Sequence, residues 1–299
     1  MKKTLLVLAL TLLGVSACPF QAQAENDNTG KNIGLTLDVG ADLVSSYLWR
    51  GQNLGGIAIQ PSVTLSWKGL YLCGWANIGA DNWTFENLSP ELDITIGYDN
   101  FGLKADLTHL YYFGGEPYFP KGGFKTQPYL SPDSCGTTME AHVGFHLGDL
   151  IEKVPLSIDW YTTVYGADCY FDEGEGEWKR AWSTYIEVGY DFQLPLELLL
   201  SARVGITPWK SMYSNYDEVW KNAKTVAINN VNLRLERDFE FKHVFLGVWG
   251  ECMLNCYGID KTNVKTDLSN VINTFEEKNH NYQHLNWRIG ASLYFGNEW

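Results

Sequence analysis

The sequence predicts an all-β protein: a single closed antiparallel transmembrane β-barrel of about twelve strands, with short periplasmic turns and long extracellular loops. Three observations predict it. Between Asn32 and Phe295, apolar and polar residues alternate with a period of two in segment after segment. Twelve such segments can be drawn, an even number, and the gaps between them alternate between short and long. No stretch after residue 24 is a run of about 18 apolar residues, so membrane helices are not the alternative. A strand shows successive side chains to opposite faces, so each segment has one greasy and one wet face. A barrel is the closed form that satisfies every backbone group inside a bilayer.

The segments run roughly 33–49, 57–68, 70–80, 91–99, 102–113, 137–147, 156–167, 181–192, 197–207, 225–237, 243–256 and 284–295. In the first, Leu35, Leu37, Val39, Ala41 and Leu43 alternate with Thr36, Asp38, Gly40 and Asp42. In the fourth, Leu92, Ile94, Ile96 and Tyr98 alternate with Glu91, Asp93, Thr95 and Gly97. Segments two and three meet at Lys68-Gly69, four and five at Asp99-Asn100-Phe101-Gly102, and six and seven between Gly148 and Pro155. Eight and nine meet at Gln193-Leu194-Pro195, and ten and eleven between Asp238 and Lys242. Residues of this kind make tight turns. The remaining connections, 50–56, 81–90, 114–136, 168–180, 208–224 and 257–283, are longer and face outward. Segment ten changes phase at Asn229-Asn230, which predicts a β-bulge. Residues 214–223 and 267–278 carry short helical spacings.

The lipid face carries Ile57, Ile59, Val63, Leu65 and Trp67 on segment two, with similar apolar rows elsewhere. Aromatics collect near segment ends, among them Trp49, Trp67, Trp182, Phe192, Trp209, Trp287 and Phe295. Interfacial girdles collect rings with an apolar body and a polar tip.

The N-terminus reads as a secretory signal over residues 1–24, with the barrel domain over 25–299. Lys2 and Lys3 form a charged start, Thr4 to Ala17 is apolar, and Ala22-Gln23-Ala24 is a small-x-small cleavage site. Cleavage before Cys18 with lipidation is the alternative. The chain carries a formal charge of −13, and loss of Lys2 and Lys3 takes the mature chain to −15. Such acidity argues against nucleic acid as a partner. The expected partners are outer-membrane lipid, lipopolysaccharide, the barrel-assembly machinery during insertion, and small solutes. No cofactor and no metal is expected.

Tyr47-Leu48-Trp49-Arg50-Gly51, followed by Gln60-Pro61-Ser62, resembles the bacterial TorF family, barrels assigned as porins by pattern. The likeness covers about residues 35–80 and implies an outer-membrane barrel, with a transport role more weakly implied. Read physically, Tyr47 and Trp49 share the parity of the lipid face. Arg50 then sits at the outer rim as an interfacial anchor, with Gly51 allowing a tight loop. A solute-binding Arg50 is the other reading.

Twelve strands spaced ~4.8 Å apart and tilted ~40° close at a backbone radius of roughly 12 Å. The inward acidic candidates are Asp38, Asp42, Asp93, Asp106, Glu140, Asp159, Glu187, Asp191, Glu236 and Glu251. The inward basic ones are Lys68, Lys104, Arg203, Arg234 and Arg288. Ten against five predicts a cation-leaning lumen, because an unpaired excess of charge is held more easily in a hydrated space. Trp75, Tyr161, Tyr165 and Trp249 also point inward and narrow the bore.

The reading is therefore a porin-like passive channel for small solutes and not an enzyme. Two alternatives stand beside it: an outer-membrane hydrolase, and a plugged barrel acting through its loops. His109 has lipid-face parity, but no serine stands outward on segments four to six to partner it. His142 and His146 project inward near Glu140 and Asp159 without a specific ligand spacing, so a charged wall is favoured over a metal site. The acidic stretch 172–177 lacks calcium-loop spacing and reads as solvated surface. Finally, Cys135 and Cys169 lie equally far from the turn joining segments six and seven. Equal distance places residues opposite each other in a hairpin, so a disulfide between them is predicted at the outer rim.

Overall fold

In the computed structural model the alternating segments pair into one unbroken ladder. The structure describes residues 34–79, 90–112, 137–151, 153–166, 168–172, 174–175, 177–209, 211, 213, 226–241, 244–255 and 285–298. Twelve strands form the barrel: β1 (Leu35–Val44), β4 (Ala58–Trp67), β5 (Leu70–Gly79), β6 (Pro90–Asn100), β7 (Leu103–Tyr112), β8 (Thr137–His146), β9 (Leu156–Gly166), β12 (Thr184–Leu194), β13 (Leu198–Thr207), β14 (Ala227–Phe241), β15 (Val244–Leu254) and β16 (Leu285–Glu298). Two small hairpins stand apart from it. They are β2 (Tyr47–Trp49) with β3 (Gln52–Gly55), and β10 (Cys169–Asp172) with β11 (Glu177–Arg180). Each barrel strand pairs antiparallel with its neighbours, and β1 closes the ring against β16.

Closure leaves no sheet edge to aggregate. The short turns mark one end. Lys68-Gly69 and Phe101-Gly102 are two-residue turns with positive φ at both positions, the I′ geometry whose twist suits a hairpin. Leu35 pairs with Trp67 and Thr36 with Glu298, so the two ends of the ladder lie at that same end.

Outward residues are apolar and exposed around the ring. Val63, Leu72, Ile96, Val143, Ile158, Val188, Leu235, Val248 and Ile289 come from nine different strands. Inward residues at the alternate positions are polar and buried, as with Thr64, Asp93, Thr108, His142, Asp159 and Glu187. A soluble protein does not show water a continuous apolar belt. A closed strand barrel dressed this way is the architecture of the outer membrane. Trp67, Trp182, Trp209, Trp287 and Phe295 are exposed on the outside near strand ends, as a girdle requires.

Several details depart from the sequence expectations. The first strand ends at Val44, and residues 47–55 turn away as a separate hairpin. β14 continues as strand to Phe241, where a turn was expected from Asp238. At the acidic stretch, expected to be solvated surface, Gly174 and Glu175 are exposed, and Asp172 pairs with Glu177 in the β10–β11 hairpin. The expected phase break in β14 is present: Gly205 pairs with Asn230 and Ile206 with Ile228, leaving Asn229 as the extra residue. The two expected helical spans, 214–223 and 267–278, lie outside the described residues, as does the signal segment.

Candidate functional site in the barrel lumen

The Tyr47–Gly51 motif does not anchor at the rim. Arg50 and Gly51 both have positive φ, 47° and 87°. They form the two-residue crown of the β2–β3 hairpin, in which Trp49 pairs with Gln52. The hairpin bends into the barrel. The alternation of β1 cannot continue past Ser45-Ser46, because the ladder that defines inside and outside stops at Val44. Tyr47 packs against inward Trp75 at 5.9 Å, and Trp49 against Tyr213 at 5.1 Å. Both rings thus face the interior, not lipid, and Arg50 is 1% exposed.

Arg50 reaches the far wall. The hairpin leaves the ring between β1 and β4, whereas its guanidinium meets side chains of β8, β9 and β12, directly opposite in strand order. Arg50 Nη2 donates to Glu140 Oε1 at 2.7 Å, and Nη1 donates to Glu140 Oε2 and to the Tyr213 hydroxyl. The Tyr213 hydroxyl donates to Glu140 Oε2 at 3.0 Å. The guanidinium carbon lies 4.1 Å from the ring centre of Tyr161, 4.8 Å from Tyr185 and 5.0 Å from Tyr213. Planar, weakly hydrated guanidinium favours this mixture of ring faces and a two-oxygen acceptor.

The bulge in β14 serves the same contact. It turns Asn229 inward, where its Nδ2 donates to the Arg50 carbonyl at 3.2 Å. Asn255 Nδ2 donates to the Gly51 carbonyl at 2.8 Å, and Asn53 Nδ2 to Asn286 Oδ1 at 3.4 Å. A Cβ on Gly51 would lie 2.1 Å from the Asn229 carbonyl oxygen. The crown is thus tied to β14, to the end of β15 and to β16.

Towards the short-turn end, His142 lies between two carboxylates. Nδ1 is 2.8 Å from Asp106 Oδ2, and Nε2 is 3.0 Å from Asp159 Oδ1. His146 Nε2 lies 3.0 Å from the same Asp159 oxygen, and the Tyr71 hydroxyl donates to Asp106 at 2.7 Å. The His142 ring stacks on Tyr161 at 4.2 Å, which links this network to the cage around Arg50. Among the described residues, no group of three or more metal-binding side chains could hold an ion.

A third network lines β12 to β16. Arg203 donates to Asp191 at 2.7 Å, Arg234 to Glu236 at 3.0 Å, and Arg288 to Glu251. The Arg234 and Arg288 guanidinium carbons lie 3.8 and 5.0 Å from the Trp249 ring centre. Glu187 accepts from the Tyr185 hydroxyl at 2.6 Å. Asp42 accepts from Tyr294 at 2.6 Å, Asp38 shares its inward row, and Lys104 is buried beside Tyr71.

Two expected lumen residues stand elsewhere. Lys68 is an exposed turn residue, its ammonium 5.0 Å from the outward Trp67 ring. Tyr165 faces outward: Met139 pairs with Tyr165 but Glu140 pairs with Thr163, so a second bulge reverses the phase of β9. Arg50 takes the place that Lys68 vacates, so the inward balance of named charges remains ten acids against five bases. Tyr213, Asn229, Asn230 and Asn255 join the site without having been singled out as lumen residues.

The predicted Cys135–Cys169 bridge falls on Cys135, outside the described residues. Thr138 pairs with Gly166, the equal-distance register that the prediction assumes, but β9 ends there and Cys169 opens β10. Elsewhere, inward Cys73 is disulfide-bonded and Cys252 is a free thiol.

No protein-family profile matches the chain, and no curated protein does. Several solved structures have a similar backbone at low sequence identity. An outer membrane channel from Pseudomonas putida F1 has 12% identity over 91% of this chain and 100% of that one, with a TM-score of 0.41. The CymD monoaromatic hydrocarbon channel has 10% identity over 90% and 89%, also at 0.41. An outer membrane phospholipase from Salmonella typhi has 11% identity over 91% and 94%, at 0.36. At TM-scores under 0.5 these likenesses say nothing of what this chain does.

Proposed function

We propose that this protein is a passive outer-membrane channel for small solutes, with a cation-leaning bore narrowed by the β2–β3 hairpin. The observation that carries the proposal is the sidedness of charge. Among the described residues, the ten named carboxylates, with buried Glu91 in the row of Asp93, turn into a tube whose outside is apolar, against five named Lys and Arg side chains. A narrow low-dielectric tube focuses such an excess into a negative potential that draws cations and repels anions. Among the described residues, the elements that enter the bore are this hairpin and the segment carrying Tyr213, both held by side-chain contacts. Within this reading, the Tyr47–Gly51 motif supports a place in the TorF family. In this chain the motif forms the inward hairpin crown.

A plugged barrel is the second reading, favoured by the close pairing of Arg50 with Glu140, Arg203 with Asp191 and Arg288 with Glu251. Buried charges pair in this way when little water surrounds them. The hydrolase reading has less support: His109 pairs across to Ile94 and Met139, and neither β6 nor β8 contains a serine.

Planar-bilayer recordings under a salt gradient test the proposal. Conductance with a cation-selective reversal potential is expected. Anion selectivity, or no conductance from correctly folded protein, overturns it.

A further inference from the structure

The recognition surface around Arg50 belongs to the wall, and Arg50 is only what fills it. Glu140, Tyr161 and Tyr185 stand on β8, β9 and β12, and Tyr213 follows β13; all lie 90 or more residues from Arg50. The wall members are fixed without Arg50. The Tyr185 hydroxyl donates to Glu187 and accepts from Asn230 Nδ2 at 2.9 Å. Its ring lies flat on β13, where a Cβ at Gly205 would come within 2.1 Å of the hydroxyl oxygen. Tyr161 is clamped by the stacked His142 ring, and Tyr213 by its bond to Glu140. The hairpin is held separately, by Tyr47 on Trp75, Trp49 on Tyr213, and amide contacts from Asn229 and Asn255 to its carbonyls and from Asn53 to β16.

We propose that this cage is a binding subsite for guanidinium-bearing organic cations, with Arg50 as the tethered occupant that an entering cation displaces. The proposal rests on the channel reading for the solute's route, but binding itself requires no conduction. The cage selects the guanidinium plane. Three ring faces accept a flat delocalised cation, and the two oxygens of Glu140 accept a parallel pair of N–H donors. An alkylammonium is a compact, strongly hydrated point charge and satisfies neither condition as well. A tethered group competes at an effective concentration on the order of millimolar. Free cations therefore bind the native barrel more weakly than a barrel lacking Arg50.

The test uses full-length barrel in detergent micelles, with folding checked by heat-modifiable gel migration. Methylguanidinium and methylammonium are titrated by calorimetry into native protein, Arg50→Ala and Arg50→Ala/Glu140→Gln. Arg50→Ala should bind one methylguanidinium saturably, at least about tenfold tighter than methylammonium and about tenfold tighter than native protein. The double variant should lose that binding. Equal affinity for both cations, equal affinity of native protein and Arg50→Ala, or binding indifferent to Glu140→Gln would each overturn the proposal. Arg50→Ser carries the same comparison if Arg50→Ala does not fold. Failure of the channel reading has a different signature: no conductance in bilayers while cage binding persists.

Discussion

Arg50 and Glu140 form a two-pronged ion pair across the full width of the barrel, although the first rides on a hairpin leaving β1 and the second stands near the start of β8. The pair joins diametrically opposed sectors of the ring. The Arg50 guanidinium therefore crosses the bore between β2–β3 and the β8 wall.

Removing one partner of that pair should destabilise far more than removing both. Glu140→Gln leaves a buried guanidinium without its counter-charge, which costs on the order of 3–5 kcal/mol. An Arg50→Met/Glu140→Met double change should recover most of the loss, since apolar replacement of a whole buried pair is close to neutral. Urea unfolding in lipid vesicles checks this; additive losses in the double variant would contradict it.

Gly51→Ala should expel the crown rather than unfold the barrel. The new Cβ would meet the Asn229 carbonyl, and positive φ adds a strain of about 1–3 kcal/mol for a non-glycine residue. The contact falls on the bulged residue of β14, and the pairs Gly205–Asn230 and Ile206–Ile228 on either side of it are not part of the clash. Higher single-channel conductance with little change in heat-modifiable migration is expected; unchanged conductance would count against an inward hairpin.

His142 should be replaceable by no neutral side chain without loss. It separates the Asp106 and Asp159 carboxylates and stacks on Tyr161. His142→Leu takes a hydrogen-bond partner from both buried carboxylates, at about 1–3 kcal/mol for each group left short. Asp159→Asn in the same chain should relieve part of that penalty, which unfolding curves of the two variants will show.

The base of the β10–β11 hairpin should tighten as pH falls. Asp168 lies outside the spanning strands, and burial pushes its carboxyl above the usual range against the opposing bonds from Ser183 and the Arg180 charge. A raised carboxyl means that protonation favours the folded loop. The contribution is complete below the unfolded-chain value and is lost as pH rises through the raised one. Greater protection of the Ala181 amide, which donates to the Asp168 carbonyl at 3.0 Å, is expected in mild acid once the intrinsic pH dependence of exchange is divided out. Asp168→Asn should remove the pH dependence.

Much of the barrel was legible because a half-buried ladder imposes period two on the sequence. β5 was expected over 70–80 and spans Leu70–Gly79, and the Asn229 bulge was visible as a phase break. Parity fails where the ladder stops or slips. It carried Tyr47 and Trp49 to the lipid face because Ser45-Ser46 gave no clear break. It carried Tyr165 inward because the β9 bulge has no glycine or asparagine to announce it. Arg50-Gly51 did carry a signal: it repeats the X-Gly form of the Lys68-Gly69 and Phe101-Gly102 turns, a hairpin crown inside what was drawn as one loop. Nothing local could pair Arg50 with Glu140, because that contact depends on barrel closure.

The most direct measurement of the central claim is single-channel conductance of the native protein against a variant whose crown, residues 48–53, is replaced by a short Gly-Ser turn. A severalfold larger conductance that remains cation-selective is predicted, because the constriction is removed while the acidic wall stays. Equal conductance, or a switch to anion selectivity, would contradict the account.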